Sequence, residues 1–199
     1  MKNIFSFYSL AACMTLFLLS GCGCNKDSLE SQESDSHQSL ITWDECGYSI
    51  GDHMCNFTFK DQNNDTFELY DHVGSPAVLD FSTMWCGYCQ IAASDINEVV
   101  DTWGHKNLVY ITVLVEDVYG NEVDIEDLQA WADTFQIPRT TPILAGDRTI
   151  IDETSENGIP VSGWPTFVLL KDNMEIQSGM RGYSKEGLNS MINDMLSQE

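Results

Sequence analysis

Between Asn56 and Ser197 the apolar residues recur with two different spacings, and each change of spacing marks a new element. Asn56-Phe57-Thr58-Phe59-Lys60 and Thr66-Phe67-Glu68-Leu69-Tyr70, set around the polar stretch Asp61-Gln62-Asn63-Asn64-Asp65, predict a β-hairpin. Ala77 to Ser82 reads as a buried strand. A helix from about Cys86 to Trp103 follows, with Ile91, Ile96, Val99 and Val100 as its apolar stripe. Asn107 to Glu116 is apolar almost without interruption, as expected of a parallel strand covered on both faces. Ile125, Leu128, Trp131, Ala132 and Phe135 place a second helix over Asp124 to Phe135. Beyond Pro138 and Pro142 come a short apolar stretch, Ile143-Leu144, and an irregular loop through Gly158. Thr166 to Lys171 and Met174 to Met180 predict a second hairpin turning at Asp172-Asn173. Ser184 to Leu196 closes the chain as a helix with Leu188, Met191, Ile192 and Met195 facing inward. Strands alternating with helices, ended by a hairpin and a helix, predict an α/β sandwich. No internal repeat is visible.

The N-terminal segment follows neither spacing. After Lys2, Ile4 to Leu19 is mostly apolar and ends in Leu19-Ser20-Gly21-Cys22. This resembles the lipobox of bacterial lipoproteins, in which the cysteine is lipidated and becomes the first residue of the mature chain. The apolar run is shorter than the ~20 residues a spanning helix needs, which disfavours the alternative of an uncleaved anchor. A plain secretory signal is the other alternative. The expected organisation is a signal over 1–21, an acidic Ser-rich tether over 22–40 and one domain over 41–199. Acyl chains on Cys22 would hold that domain on a membrane. Gly23 lacks the Asp that often retains such proteins at the inner membrane, which points outward, toward the envelope and its periplasmic space.

Charge narrows the partners. Thirty-one Asp and Glu against nine Lys and Arg give −22, and loss of Lys2 with the signal would make it −23. Nucleic acid is excluded as a partner for such a surface, and the acidity reads as a solubility feature. Setting aside Cys13 in the signal and Cys22, five cysteines remain, which suits an oxidising compartment. Cys46 and Cys55 bracket a Gly-rich polar loop and are expected to form a structural disulfide. Cys24 has no evident partner or role.

The chemistry centres on Trp85-Cys86-Gly87-Tyr88-Cys89. Two cysteines with two residues between them, at a strand-to-helix junction, form a dithiol whose first sulfur meets the helix amides and dipole as a thiolate. Cys86 would attack a disulfide and Cys89, one turn inward, would resolve the mixed disulfide. A C-x-x-C pair is also half of a zinc site, with Cys46, Cys55 and His53 as further ligands. Their spacing fits no common knuckle, and the expectation is that no metal is held. The turn Asp61, Asn63, Asp65 partly imitates a calcium loop, but Thr66 stands at the glycine position and His72 at position twelve, so it reads as a plain turn. His37 and His105, and Trp43, Trp103 and Trp131, read as surface, packing or anchoring residues.

Asp80, Phe81, Trp85-Cys86-Gly87-Tyr88-Cys89, Trp164-Pro165-Thr166 and Gly182 fall in the order and context of the thioredoxin superfamily, which this chain resembles over about Asn56 to Ser197. The hairpin before the dithiol strand and the long interval from Cys89 to Pro165 resemble its redoxin branch, which includes membrane-tethered thiol–disulfide oxidoreductases. The resemblance implies a thioredoxin-like three-layer α/β sandwich with a central mixed sheet and an N-terminal hairpin extension. It implies a cis peptide at Pro165, substrate contacts from Trp85, Trp164, Pro165 and Thr166, and a buried acid at Asp80 that takes the proton of Cys89. A strand-end Asp80 pointing to water is the alternative. Trp164 departs from the smaller residue common there, and would narrow the groove or pack against Trp85. Ala92 stands where cytochrome-maturation reductases often carry Glu, and Ser94 replaces the usual helix-kinking proline. The Gly-Tyr pair also occurs in bacterial disulfide isomerases, but the tether is too short for their dimerisation domain, so a monomer is expected.

Three functions compete. The first is exchange of disulfides with cysteine-containing exported proteins, recycled by a further redox partner, with no cofactor beyond the Cys86–Cys89 couple. The second is a redoxin-type thiol peroxidase: Thr83-Met84-Trp85-Cys86 fits the T-x-x-C half of the peroxiredoxin signature, although Leu79 stands where its proline belongs. The third is a non-catalytic binding module or metal chaperone. Two residues between the cysteines do not fix the direction of electron flow.

Overall fold

The structure, a computed structural model, describes residues 39–152, 154 and 158–197. The expected signal, the lipidated Cys22, Cys24, His37 and all but the end of the tether lie outside them.

A five-stranded mixed sheet in the order β5-β4-β3-β6-β7 forms the centre. Its strands are β3 (Ala77–Thr83), β4 (Val109–Glu116), β5 (Ile143–Ala145), β6 (Thr166–Leu170) and β7 (Ile176–Arg181). β3 runs parallel to β4, β4 parallel to β5, and β6 is antiparallel to both β3 and β7. β3 is central and all seven of its residues are buried, which suits its apolar Ala77, Val78, Leu79 and Phe81 and leaves Asp80, Ser82 and Thr83 as buried polar groups. A separate hairpin, β1 (Thr58–Lys60) with β2 (Thr66–Glu68), precedes the sheet.

Two crossovers, through α1 (Gly87–Trp103) and α2 (Ile125–Phe135), step from β3 to β4 to β5 in one direction. Right-handed crossovers stepping the same way place their helices on the same face. α3 (Lys185–Leu196) joins them. Ile96 and Val99 of α1, Leu128 and Trp131 of α2, and Leu188 and Ile192 of α3 share one core with Val78, Tyr110 and Phe167 of the sheet. Among the described residues no α-helix covers the opposite face. There Met54, Phe67, Leu69, Ile150, Ile159 and Val161, from the hairpin, two 3-10 turns and loops, pack on Leu79, Phe81, Ile111 and Val113. The three expected layers are thus a helical layer, the sheet, and a layer of hairpin and irregular chain.

Three expectations are corrected. Ile91 is 51% exposed and outside the apolar stripe of α1, which consists of Cys89, Ala92, Ala93, Ile96 and Val99. The alanines let the helix lie close to the sheet, and this rotates Ile91 toward solvent beside the dithiol. The strand expected to reach Tyr70 stops at Glu68, because Leu69–His72 forms a 3-10 turn that buries Leu69. The last strand begins at Ile176, since Met174 occupies the hairpin turn at φ 63 with its side chain fully buried.

Local signals account for the helix ends. Asp124 and Asp127 form a reciprocal capping box on α2, and the Ser184 hydroxyl accepts from the Gly187 amide at the start of α3. Ser94, at the position where a proline is usual, donates its hydroxyl to the Ile91 carbonyl (2.6 Å), and α1 stays continuous. In the turn between β1 and β2, the Asp61 carboxylate accepts from the Asn63 and Asp65 amides. The buried Gln62 beside it bonds Thr141 O and the Ile143 amide, which fastens the hairpin to β5.

Candidate active site

Cys86 is the N-cap of α1, in extended conformation (φ −82, ψ 119) directly after β3. A strand that ends at the sheet rim and turns at once into a helix leaves the first helical N–H groups directed at this residue, which favours negative charge there. Its amide donates to Thr83 O (3.3 Å) and its carbonyl accepts from Gln90 (3.1 Å). Both thiols are free, Cys89 is fully buried, and Cys86 is only 8% exposed. The Cys86 sulfur thus reaches the surface only through a narrow window. The Cys89 side chain lies close enough to Cys86, Ser82 and the Thr83 backbone for each to act on its proton. Burial first, then Cys86, pushes the Cys89 thiol far above the ordinary range.

Asp80 lies beneath this pair, buried at the centre of β3. The strand-end, water-facing alternative is therefore overturned. Ser82 Oγ donates to Asp80 Oδ1 (2.6 Å) and Tyr110 Oη to Asp80 Oδ2 (3.0 Å). Burial pushes the Asp80 carboxyl up to about 6, against the opposing pull of the two hydrogen bonds. The Tyr110 phenol is held well above its ordinary range by burial and then by Asp80, so it stays a donor.

Trp85 is 47% exposed, and its indole N–H donates to Glu116 Oε2 (2.7 Å). Glu116 ends β4, accepts the Met84 amide at its carbonyl (2.9 Å) and forms an ion pair with Arg148, whose guanidinium is mostly exposed. The residue before Cys86 is thus fixed by a buried carboxylate. Trp164 packs against both cores. The Trp164–Pro165 peptide is cis. Gly182, at φ 80 where a side chain would be strained, donates its amide to Pro165 O (2.7 Å), and Thr166 Oγ1 donates to Gly163 O (2.7 Å). On one side of this ridge lies a cavity of about 480 Å³ lined by Arg148, Ile151, Val161, Ser162 and Trp164. On the other, Tyr88, Met180, Arg181 and Tyr183 line one of about 290 Å³. Exposed Trp85, Tyr88 and Ile91 surround the dithiol.

Cys46 and Cys55 are joined to each other, with Cα atoms 4.8 Å apart. Their neighbour His53 stacks on Trp43 at 4.4 Å. With both sulfurs bonded, neither is available to complete a zinc site with Cys86 and Cys89. A groove of about 430 Å³ lined by Tyr48, Ile50, Met54 and Ile176 lies on this opposite side of the sheet and takes no part in the dithiol chemistry.

Ser82, Tyr110, Glu116 and Arg148 carry site geometry that sequence reasoning missed. Ser82 had a usable signal, because it stands two residues after Asp80 and so on the same strand face. Glu116 had one too, as an acid ending an apolar strand. Tyr110 and Arg148 depend on strand register and loop path, which no local spacing reveals.

The sequence profile of the AhpC/TSA family matches residues 50–177. A thioredoxin domain-containing protein of Acanthamoeba polyphaga mimivirus is 22% identical over 177 residues, 83% of this chain but 43% of that protein. The chain thus spans less than half the length of that curated relative. Among solved structures, a thiol:disulfide interchange protein of the thioredoxin family from Chlorobium tepidum superposes with a TM-score of 0.59 at 16% identity, covering 77% of this chain and 99% of that one. The exposed lipoprotein thioredoxin of Streptococcus pneumoniae gives 0.54 at 19% identity, covering 73% and 100%. The fold is thioredoxin-like.

Proposed function

Because this chain belongs to the AhpC/TSA family, we propose that it is a thiol–disulfide oxidoreductase exchanging disulfides with cysteines of exported proteins. The observation that carries this reading is the unequal pair itself. Cys86 caps a helix at a small opening, and Cys89 lies buried behind it, above a buried carboxylate. In the reductive direction the Cys86 thiolate attacks a substrate disulfide, forming one S–S bond and releasing one substrate thiolate. Cys89 gives its proton toward Asp80 and attacks the Cys86 sulfur, which frees the second substrate thiolate and leaves Cys86–Cys89 oxidised. A dithiol partner then returns the two electrons. Oxidation of a substrate dithiol is the same sequence reversed. Trp85, Trp164, Pro165 and Thr166 would position the substrate strand across the ridge between the two cavities.

The test is reduction of insulin disulfides by residues 41–199, with Cys86→Ser as control. Equal rates would remove Cys86 from the role of nucleophile. The peroxidase reading is favoured less, since Thr83, the threonine of its half-motif, is fully buried. Peroxide consumption coupled to a dithiol reductant separates the two.

For the chain as a whole we propose a signal over 1–21, lipid on Cys22, a tether to residue 40 and a monomeric domain facing the periplasm. Among the described residues no helix is long and apolar enough to cross a membrane, and the Leu19-Ser20-Gly21-Cys22 pattern is what supports attachment by lipid. Mass spectrometry of the mature N-terminal peptide tests this.

A further inference from the structure

The geometry assigns to Ser82 the role of proton carrier between Cys89 and Asp80, with Tyr110 as the residue that holds Asp80 in position to receive. This rests on the dithiol reading above and specifies its resolving step. Ser82 and Asp80 are alternate residues of β3 and face the same side of the sheet. The Ser82 hydroxyl is fully buried and gives its only hydrogen to Asp80 Oδ1 at 2.6 Å. Its lone pairs remain free to accept, and Cys89 lies close enough for the two side chains to act on each other. Tyr110, on the neighbouring strand β4, occupies the second carboxylate oxygen at 3.0 Å. That leaves Oδ1, the oxygen on the Ser82 side, as the receiving atom. Among the described residues, the titratable groups acting on this carboxylate are Tyr110 on β4, Cys89 on α1 and Tyr183 before α3.

The step balances as follows. As Cys89 Sγ bonds to Cys86 Sγ, its S–H proton passes to Ser82 Oγ, the Ser82 proton passes to Asp80 Oδ1, and the substrate thiolate leaves with the electron pair of the broken S–S bond. Asp80 ends as a neutral acid and later releases its proton to water. Burial disfavours a free Cys89 thiolate. Transfer concerted with bond formation removes that obstacle.

A coloured nitrobenzoate disulfide tests this, because its two thiolates leave in sequence: the first on attack by Cys86, the second on resolution by Cys89. The unmodified protein should show a second phase that rises through about pH 6, as Asp80 ionises, and a bowed proton inventory in mixed light and heavy water. Ser82→Ala should leave the first phase intact and slow the second at least about tenfold, and Ser82→Thr should recover most of it. A second phase within twofold of the unmodified protein in Ser82→Ala would overturn the proposal, as would Ser82→Thr no faster than Ser82→Ala. A linear inventory in the unmodified protein would also overturn it, and that measurement holds even if the variants do not fold. Absence of the first phase in the unmodified protein would overturn the dithiol reading and the relay with it. A normal first phase with an unaffected second removes the relay alone.

Discussion

Cys46 and Cys55 are nine residues apart and bonded, within the irregular layer that covers one face of the sheet. Cys86 and Cys89 are three apart and unbonded, at the seam between β3 and the helical layer on the other face. The first pair has Cys46 exposed and Cys55 partly so, with a stacked Trp43–His53 pair beside them. In the second pair one sulfur sits at a narrow opening, and the other is sealed above Ser82, Asp80 and Tyr110. On the proposed reading, the difference teaches that two cysteines become a redox couple through inequality. An asymmetric pair has a natural first attacker and a natural second. A pair closing a loop is valuable chiefly for what it denies the unfolded chain.

Exchanging the two roles by mutation gives the largest contrast. Cys86→Ser should lower insulin reduction by at least about 100-fold, since the remaining thiol, Cys89, is fully buried, while the urea midpoint stays near that of the unmodified protein. Cys46→Ser with Cys55→Ser should do the reverse: a loss of about 2–3 kcal/mol in urea unfolding, with activity kept wherever the domain remains folded. A double serine variant that loses activity while still folded would show that the two faces are not independent.

Asp80→Asn probes the buried base. Resolution of the mixed disulfide should slow by about 10²-fold or more. The carboxyl rises from 3.8 unfolded to about 6 folded, so the folded state binds the proton more tightly. Its stability is therefore fully present below pH 3.8 and declines as pH rises through the window to about 6. The decline is about 3 kcal/mol for a shift of this size. Calorimetry across that window should show the slope in the unmodified protein and a flatter curve in Asp80→Asn.

Glu116→Gln leaves the Trp85 hydrogen bond possible but removes the charge opposite Arg148. The first attack on a protein disulfide should weaken by about 1 kcal/mol or less, read as kcat/KM for insulin, with tryptophan fluorescence reporting a looser indole. The smallest effect belongs to the other face. Trp43→Phe removes the indole donor to Tyr70 and part of the stack on His53, and should cost about 1 kcal/mol in the urea midpoint without changing activity.

The strand–helix alternation, the buried central strand, the second hairpin and the helix starts at Asp124 and Ser184 were all legible along the chain. Each is a local matter of spacing or of a side chain capping its own backbone. Ile91 was misread because the apolar arc of α1 is set by where Ala92 and Ala93 allow the sheet to approach. The end of β2 was misread because Leu69 turns inward toward a core assembled from distant segments. The dithiol, its proline and Asp80 were legible as candidates. Their pairing with Ser82, Tyr110, Glu116 and Arg148 was not.

The sequence by itself settled which residues can ionise, exchange bonds or cap a helix, because those are properties of side chains and their near neighbours. Folding settled which of them meet. The register of β3 against β4 brings Tyr110 to Asp80 and Glu116 level with Thr83. Two crossovers stepping the same way leave one face to helices and the other to loops. Register and handedness are decided by how whole layers bury their surface, over contacts tens of residues apart, and no window of neighbouring residues contains that information.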